Sequence, residues 1–352
     1  MIWSLWNGIE GKLFFDKFNL YKKKKFTNSV NVNDIFLATE KIYSFALKKK
    51  IQLVFLDEVK NLDEVSLFIF FDTPNFEDSL IKKIKKYKKN SILLIIEGKD
   101  IYPRNFEKKY HKYFQFIFTW NDNLVDNKKY FKFYWGVKNS ADYKTEVYKN
   151  KLLCMINSNR IINYEKTMYS VRLNTIKWLD KNYLNNFDLY GSNWNKRFFY
   201  SRFKLIRLIN RIPFITNFFG YKFKCYKGTI KPLLKDKINV LKKYKFSIVI
   251  ENSLGPDGWI TEKIFHCFFS STVPIYLGTK NIEKHVPGNC LINIRNFKTI
   301  QEAINFAKNM NDFEYQKYIK NIDKFLQSRK YKKFDIDYNM NVLFKKINIY
   351  NK

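Results

Sequence analysis

The 352-residue chain is short of acidic side chains, of cysteine and of long apolar runs, and each shortage excludes something. The longest apolar stretches, such as Ser91 to Ile96 and Ser247 to Ile250, are strand-sized, and a membrane-crossing helix needs about 18 residues or more. Met1 to Glu10 has no cationic start followed by an apolar block, and Glu10 stands where a secretory leader stays uncharged, so a cytoplasmic protein is the expectation. Cys154, Cys225, Cys267 and Cys290 lie far apart, with no CxxC and no Cys/His pair at metal-ligand spacing, which points to reduced core thiols. No internal repeat appears.

Against 32 acidic residues stand 65 basic ones, a formal charge of +33. A surface so unbalanced attracts polyanions and anionic lipid headgroups. Lys, Asn, Ile, Tyr and Phe are over-used together, however, and share A/T-rich codons, so base composition is a second source for the excess. Apolar residues make up 46% and aromatic residues 19% of the chain, too much for disorder. A chain of this length exceeds one ordinary core, and two domains are expected.

The first half alternates apolar runs (Gln52 to Leu56, Ser66 to Phe71, Ser91 to Ile96, Phe114 to Thr119) with Lys-rich amphipathic segments such as Ser79 to Lys89. A second series runs through a strand at Leu152 to Ile156, a helical pattern at Tyr164 to Asn182 and a strand at Phe187 to Tyr190 ending in Gly191. After the basic stretch Ser201 to Lys224 come a helix at Ile230 to Lys243, a strand at Phe246 to Ile250, a helix from Thr261 to Phe269 and a strand at Val273 to Leu277. This is the βαβ rhythm of parallel sheets covered by helices. The expectation is an α/β protein of two Rossmann-like domains facing across a cleft. Residues 1–140 form the first, 150–330 the second, and 331–352 a basic tail, with Lys138 to Lys151 as linker; the last 30 residues read as one or two helices that either pack back on the first domain or lie on a surface.

The stretch Tyr244 to Gly278 carries the most chemistry. Its first strand delivers Glu251, Asn252 and Ser253 to the carboxyl edge of a sheet, where open α/β folds bind ligands. A loop with Gly255, Pro256 and Gly258 follows. Thr261 then reads as the N-cap of a helix with Glu262 and Lys263 in its first turn, and free N–H groups beside a cation suit a diphosphate. Thr261-Glu262 is equally a good helix start for stability alone.

The whole run resembles the donor-site signature of glycosyltransferase family 10, the α1,3/4-fucosyltransferases. The residues are Phe246 with Glu251-Asn252-Ser253, then Trp259-Ile260-Thr261-Glu262-Lys263-Ile264-Phe265, then Val273-Pro274-Ile275-Tyr276-Leu277-Gly278. Trp259 stands where the family usually has Tyr, and Ser270-Ser271-Thr272 where Ala-Gly commonly precedes Val-Pro. Leu153 to Asn159, Tyr169-Ser170-Val171-Arg172, Phe187 to Ser192 with Gly191, and Tyr226-Lys227-Gly228 also resemble family positions. Weaker likenesses in the first half are Ile92 to Glu97, Pro103-Arg104-Asn105-Phe106 and Phe118-Thr119-Trp120-Asn121-Asp122 to Tyr130.

The resemblance implies a GT-B-like enzyme that moves L-fucose from GDP-L-fucose onto a glycan hydroxyl with inversion. It implies Glu97 as general base, Arg172 and Lys263 on the diphosphate, and Asn252 and Glu262 orienting nucleotide or sugar, with Trp259, Tyr226 and Gly191 at donor-side positions. Asp72, at another strand end, is the competing carboxylate. Asp335 and Asp337 have the only Asp-x-Asp spacing, outside the donor sheet, so no metal and no tightly bound cofactor is expected.

Three further readings stay open: a transferase of another nucleotide sugar; a nucleic-acid surface around Phe198-Phe199-Tyr200 with Arg197 and Arg202; and peripheral contact of the 201–224 and 323–352 segments with an anionic membrane on its inner face. No nucleic-acid module signature supports the second. Oligomeric state is not legible.

Overall fold

The computed structural model describes residues 1–7, 37–134, 137, 149–159, 168–201, 203–230, 234–255 and 257–348. Parts of several expected elements lie outside them: residues 138–148 of the linker, 164–167 and 231–233 of two helical patterns, Arg202 of the basic aromatic stretch, Pro256 of the glycine loop and 349–352 of the tail. The chain divides into two compact units, the first made of Met1–Asn139, Gly255–Ile260 and Lys332–Lys352, the second of Ser140–Leu254 and Thr261–Tyr331.

The first unit holds a six-stranded, wholly parallel sheet. Its strands are β1 (Ile2–Asn7), β2 (Gln52–Phe55), β3 (Val65–Phe71), β4 (Ser91–Ile95), β5 (Phe116–Thr119) and β6 (Tyr130–Lys132), in the order β2-β1-β3-β4-β5-β6. Strands buried on both faces read as unbroken apolar runs, and β3 shows why. Leu67, Ile69 and Phe71 enter one core cluster, Phe68 and Phe70 the opposite one. β1 pairs with β2 on one side and β3 on the other, yet Ile2–Asn7 is a short run broken by Ser4, and the sequence reading passed it over.

The C-terminal residues pack back on the first unit, one of the two placements open from the sequence. The helix Ile336–Asn348 packs against the helix Leu37–Lys48, with Phe344 stacked on Phe45 at 3.8 Å between ring centroids, and Ile336, Met340, Leu343 and Ile347 join the core of the first unit. Asp335 begins this helix by accepting from the Asp337 and Tyr338 amides at 2.8 and 3.2 Å, and Asp337 pairs with Lys41. The Asp-x-Asp spacing is accounted for by a helix start and a surface ion pair.

The second unit repeats the plan with β7 (Lys151–Ile156), β8 (Phe187–Tyr190), β9 (Tyr226–Gly228), β10 (Tyr244–Ile250), β11 (Val273–Leu277) and β12 (Ile292–Asn293), again all parallel, in the order β12-β11-β10-β7-β8-β9. The strand order reverses between β7 and β10, and the carboxyl ends of these two strands therefore flank the crevice where such sheets take ligands. All four cysteines are buried and unbridged. Burial pushes the Cys267 and Cys290 thiols up to about 12, which leaves them inert at neutral pH.

Trp3, wholly buried in β1, tests whether that strand is central to the first unit. Trp3→Ala is expected to cost about 3–5 kcal/mol of stability, read as a fall in the denaturant midpoint.

Candidate functional site

The loops after β7 and β10 meet at the switch point of the second sheet. β10 ends in Glu251, which has no exposed surface. Its carboxylate accepts from the Thr261 amide at 3.1 Å, from the Thr261 hydroxyl at 2.9–3.0 Å and from the Lys263 ammonium at 3.1 Å. Lys263 also donates to Thr261 Oγ1 at 3.0 Å. Removing a carboxylate from water costs several kcal/mol unless it is paired and hydrogen-bonded, and here both conditions are met. Burial alone would pull the Lys263 ammonium down, but Glu251, with Glu262 farther off, outweighs it and holds the pKa above the ordinary lysine value. Lys263 is a charged lysine whose position is fixed from beneath and whose side chain keeps 24% exposure.

Thr261 caps the helix Glu262–Phe269 as expected, and Glu262 sits in its first turn, about a quarter exposed. Gly278, at the end of β11, completes the cradle. A Cβ there would lie 2.1 Å from Tyr276 Oη and 2.8 Å from Glu251 Cγ, so only glycine permits this approach.

Arg172 lies on the helix Met168–Asn182 and is 3% exposed. Nε donates to the Ile250 carbonyl at 2.9 Å, Nη2 donates to the same oxygen, and Nη2 donates to Asn252 Oδ1 at 2.8 Å. The helix that follows β7 is thereby clamped to the end of β10. The family resemblance puts Arg172 on the diphosphate; in the structure its guanidinium also grips the strand end. It nevertheless lines a shallow pocket with Asn157, Ser158, Asn159, Tyr169 and Trp194. Gly191 packs against Asn157 of that lining: it has φ +136°, and a Cβ would sit 1.9 Å from the Asn157 carbonyl oxygen. Tyr226, on β9, donates or accepts with Thr229 Oγ1 at 2.9 Å and is half-buried.

Trp259 falls elsewhere. Residues 255–260 belong to the first unit, where Trp259 is 4% exposed and meets Trp120 edge-on at 4.5 Å. The expected domain 150–330 is interrupted at this loop. The reason is apolar burial: Trp259 joins the core cluster of Phe68, Phe70 and Ile117, and the Asp257 carbonyl accepts from the Asp122 amide at 2.9 Å.

Also in the first unit, Glu97 follows β4 and is half-buried. Its competitor Asp72 is 1% exposed, in the left-handed region at φ +63°. Asp72 Oδ1 accepts from the Ile96 amide at 2.8 Å, the Glu97 amide at 3.1 Å and Asn105 Nδ2 at 2.6 Å. Asn105 also donates to the Glu97 carbonyl at 3.2 Å and accepts from the Thr73 amide at 2.8 Å, while its own carbonyl meets His111 Nε2 at 3.0 Å. Asp72 thus shapes the loop that carries Glu97 and presents no carboxylate to a substrate. Sequence reasoning missed Asn105 and His111 in this role, although Asn105 lies within the family-like Pro103-Arg104-Asn105-Phe106.

The structure thus comprises two parallel-sheet α/β units, with a cation anchored on a buried carboxylate at the switch point of the second. Residues 179–341 match the family model described as glycosyltransferase family 10 (fucosyltransferase), C-terminal. That stretch of the chain is similar to the C-terminal region of this family. An α-(1,3)-fucosyltransferase of Helicobacter pylori is 37% identical over 82 residues, 23% of this chain and 17% of that protein, so the matched stretch spans a small part of the relative. In overall fold, a crystal structure of an α1,3-fucosyltransferase aligns with a TM-score of 0.53 at 16% identity, covering 99% of this chain and 89% of that one. An α-glucosyltransferase in complex with UDP and a 13-mer DNA aligns with a TM-score of 0.54 at 11% identity, covering 99% of each. The fold is common to both, and the sequence likeness lies with the fucosyltransferases.

Burial raises the Asp72 carboxyl from the ordinary aspartate value to about 6, against the pull of the Ile96, Glu97 and Asn105 donors. A carboxyl whose pKa is higher folded than unfolded binds more protons in the folded state, so stability falls as pH rises from about 4 to about 6. Asp72→Asn, which keeps an acceptor for the two amides, is expected to flatten that part of the stability–pH curve. Trp259→Ala is expected to cost about 3–5 kcal/mol in the first unit and to leave GDP affinity within about twofold, read by calorimetry.

Proposed function

We propose that the protein is an inverting fucosyltransferase that moves L-fucose from GDP-L-fucose to a hydroxyl of a glycan acceptor, through an α1,3 or α1,4 linkage to N-acetylglucosamine or glucose. The observation that carries this reading is the Glu251–Thr261–Lys263 cluster at the switch point of the second sheet, built from residues of the family-like run. A diphosphate leaving group develops negative charge as the glycosidic bond breaks, and fixed donors aimed at that charge stabilise the transition state. Lys263 supplies a held ammonium. Arg172 and the positive dipole end of the helix Glu262–Phe269 add to the positive edge, and Asn252 and Glu262 orient ribose or sugar hydroxyls. Gly191 and Tyr226 complete the donor side. In this scheme no metal takes part, because the cations carry the work a divalent ion would do on a diphosphate.

A direct displacement also needs a base for the acceptor proton. Glu97 takes this role on the family resemblance, and the burial of Asp72 beneath the same loop supports the choice between the two. None of the helices among the described residues is long and apolar enough to cross a membrane. A cytoplasmic enzyme in peripheral contact with an anionic membrane belongs to the same reading, since a charge of +33 favours acidic headgroups.

The test is transfer from GDP-fucose to an N-acetyllactosamine or glucose-terminated acceptor. Glu97→Gln is expected to keep GDP affinity within about twofold and to lose about 100-fold or more in turnover. Lys263→Ala is expected to weaken GDP binding by about tenfold and to lower stability, since Glu251 is left buried and unpaired. Turnover of Glu97→Gln near that of the unmodified protein would remove Glu97 from the scheme.

A further inference from the structure

Sixteen large apolar side chains are exposed among the described residues, and nine of them lie between Phe203 and Tyr221. Leu205, Phe214, Phe218 and Phe219 are 78, 70, 66 and 74% exposed. Single exposed apolar residues are ordinary, but a contiguous group marks an interaction surface.

The segment is a built projection from the second unit. It comprises two short helices, Lys204–Leu208 and Pro213–Phe219. Its base is tied down by an antiparallel bridge between Phe198 and Tyr221, with amide-to-carbonyl distances of 3.1 and 3.0 Å. Asn210 accepts from the Phe199 amide at 2.8 Å and donates to the Phe199 carbonyl at 3.0 Å, and the Tyr221 hydroxyl donates to Asp180 at 2.6 Å. Buried Thr216 donates its hydroxyl within the turn, to Ile209 O and Ile212 O, each at 3.0 Å. The polar atoms of the base are satisfied while the phenylalanines of the crown are left uncovered.

Charge identifies what covers them. From residue 189 to residue 235 the sequence has eleven Lys or Arg and no Asp or Glu. Four of the chain's nine arginines, Arg197, Arg202, Arg207 and Arg211, fall within 15 residues here, a clustering that lysine-rich base composition does not produce. A bilayer with acidic headgroups offers both complements at once, negative charge at the surface and acyl chains beneath it.

We propose that the 203–221 projection is a membrane-docking element that seats Phe214, Phe218 and Phe219 in the interface of an anionic bilayer, with the surrounding basic residues on headgroup phosphates. The inference deepens the peripheral-contact reading and rests on that alone, not on the transfer chemistry. It places the contact on this projection and not on the basic C-terminal segment.

The test is flotation of the purified full chain with vesicles of phosphatidylcholine alone or with about 30% phosphatidylglycerol, at about 0.15 M salt. The protein is expected to float with the anionic vesicles and to partition about 100-fold more weakly onto the neutral ones. The triple change Phe214→Ser, Phe218→Ser, Phe219→Ser is expected to lower partitioning by about tenfold or more while Tm and GDP affinity stay unchanged. The exposed pair Lys324→Glu, Lys330→Glu is expected to keep it within about twofold of the unmodified protein. If the protein floats but the triple variant floats equally, or the lysine pair abolishes binding, the projection is not the docking element although peripheral contact stands. If the unmodified protein does not float, both fail. Loss of a dimer in the triple variant, without vesicle binding in the parent, would assign the surface to a second copy of the chain and overturn the proposal.

Discussion

A carboxylate removed wholly from water must be held by donors on every side, and Glu251 is held in this way. Its partners are the cap residue of one helix and the lysine two positions into that chain segment, so satisfying one buried charge fixes the helix start, the cation and the end of β10 together. Gly278 is glycine because the Tyr276 hydroxyl and the Glu251 side chain leave no room for a Cβ. Arg172 secures the same strand end from the other neighbour by gripping the Ile250 carbonyl. The long motif from Tyr244 to Gly278 is thus one physical object: spaced residues that must coexist because each satisfies a group another leaves buried.

The first unit solves a parallel problem with a different carboxylate. Asp72 lies in the left-handed region at the end of β3 and organises the residues after β4 through two amides and Asn105. That network ties three loops to one buried oxygen. It gives Glu97 a defined backbone position through its amide and its carbonyl.

Much of this was legible from the sequence because parallel strands covered on both faces are apolar runs of predictable length, as in Ser66 to Phe71 and Phe246 to Ile250. The family-like residues also sat where β10 meets its helix, and their order along the chain was enough to place them. What escaped was set by contacts distant in sequence. The burial of Glu251 depends on Thr261 and Lys263 folding back over it, and the Asp72–Asn105 bond joins residues 33 positions apart. Chain order gives no sign that Trp259 leaves the second unit to pack against Trp120. The 201–224 stretch read as a basic segment with membrane contact among its open readings, because its charge is visible in the sequence and the exposure of its phenylalanines is not.

The most direct measurement is calorimetric titration of the full chain with GDP-fucose, GDP-mannose and UDP-glucose, in EDTA and at moderate salt. A nucleotide site built on Lys263 and the β10 edge predicts selective binding of GDP-fucose without metal. Equal binding of all three, or binding that vanishes with added salt, would mean that the basic surface is responding to phosphate alone and would contradict it.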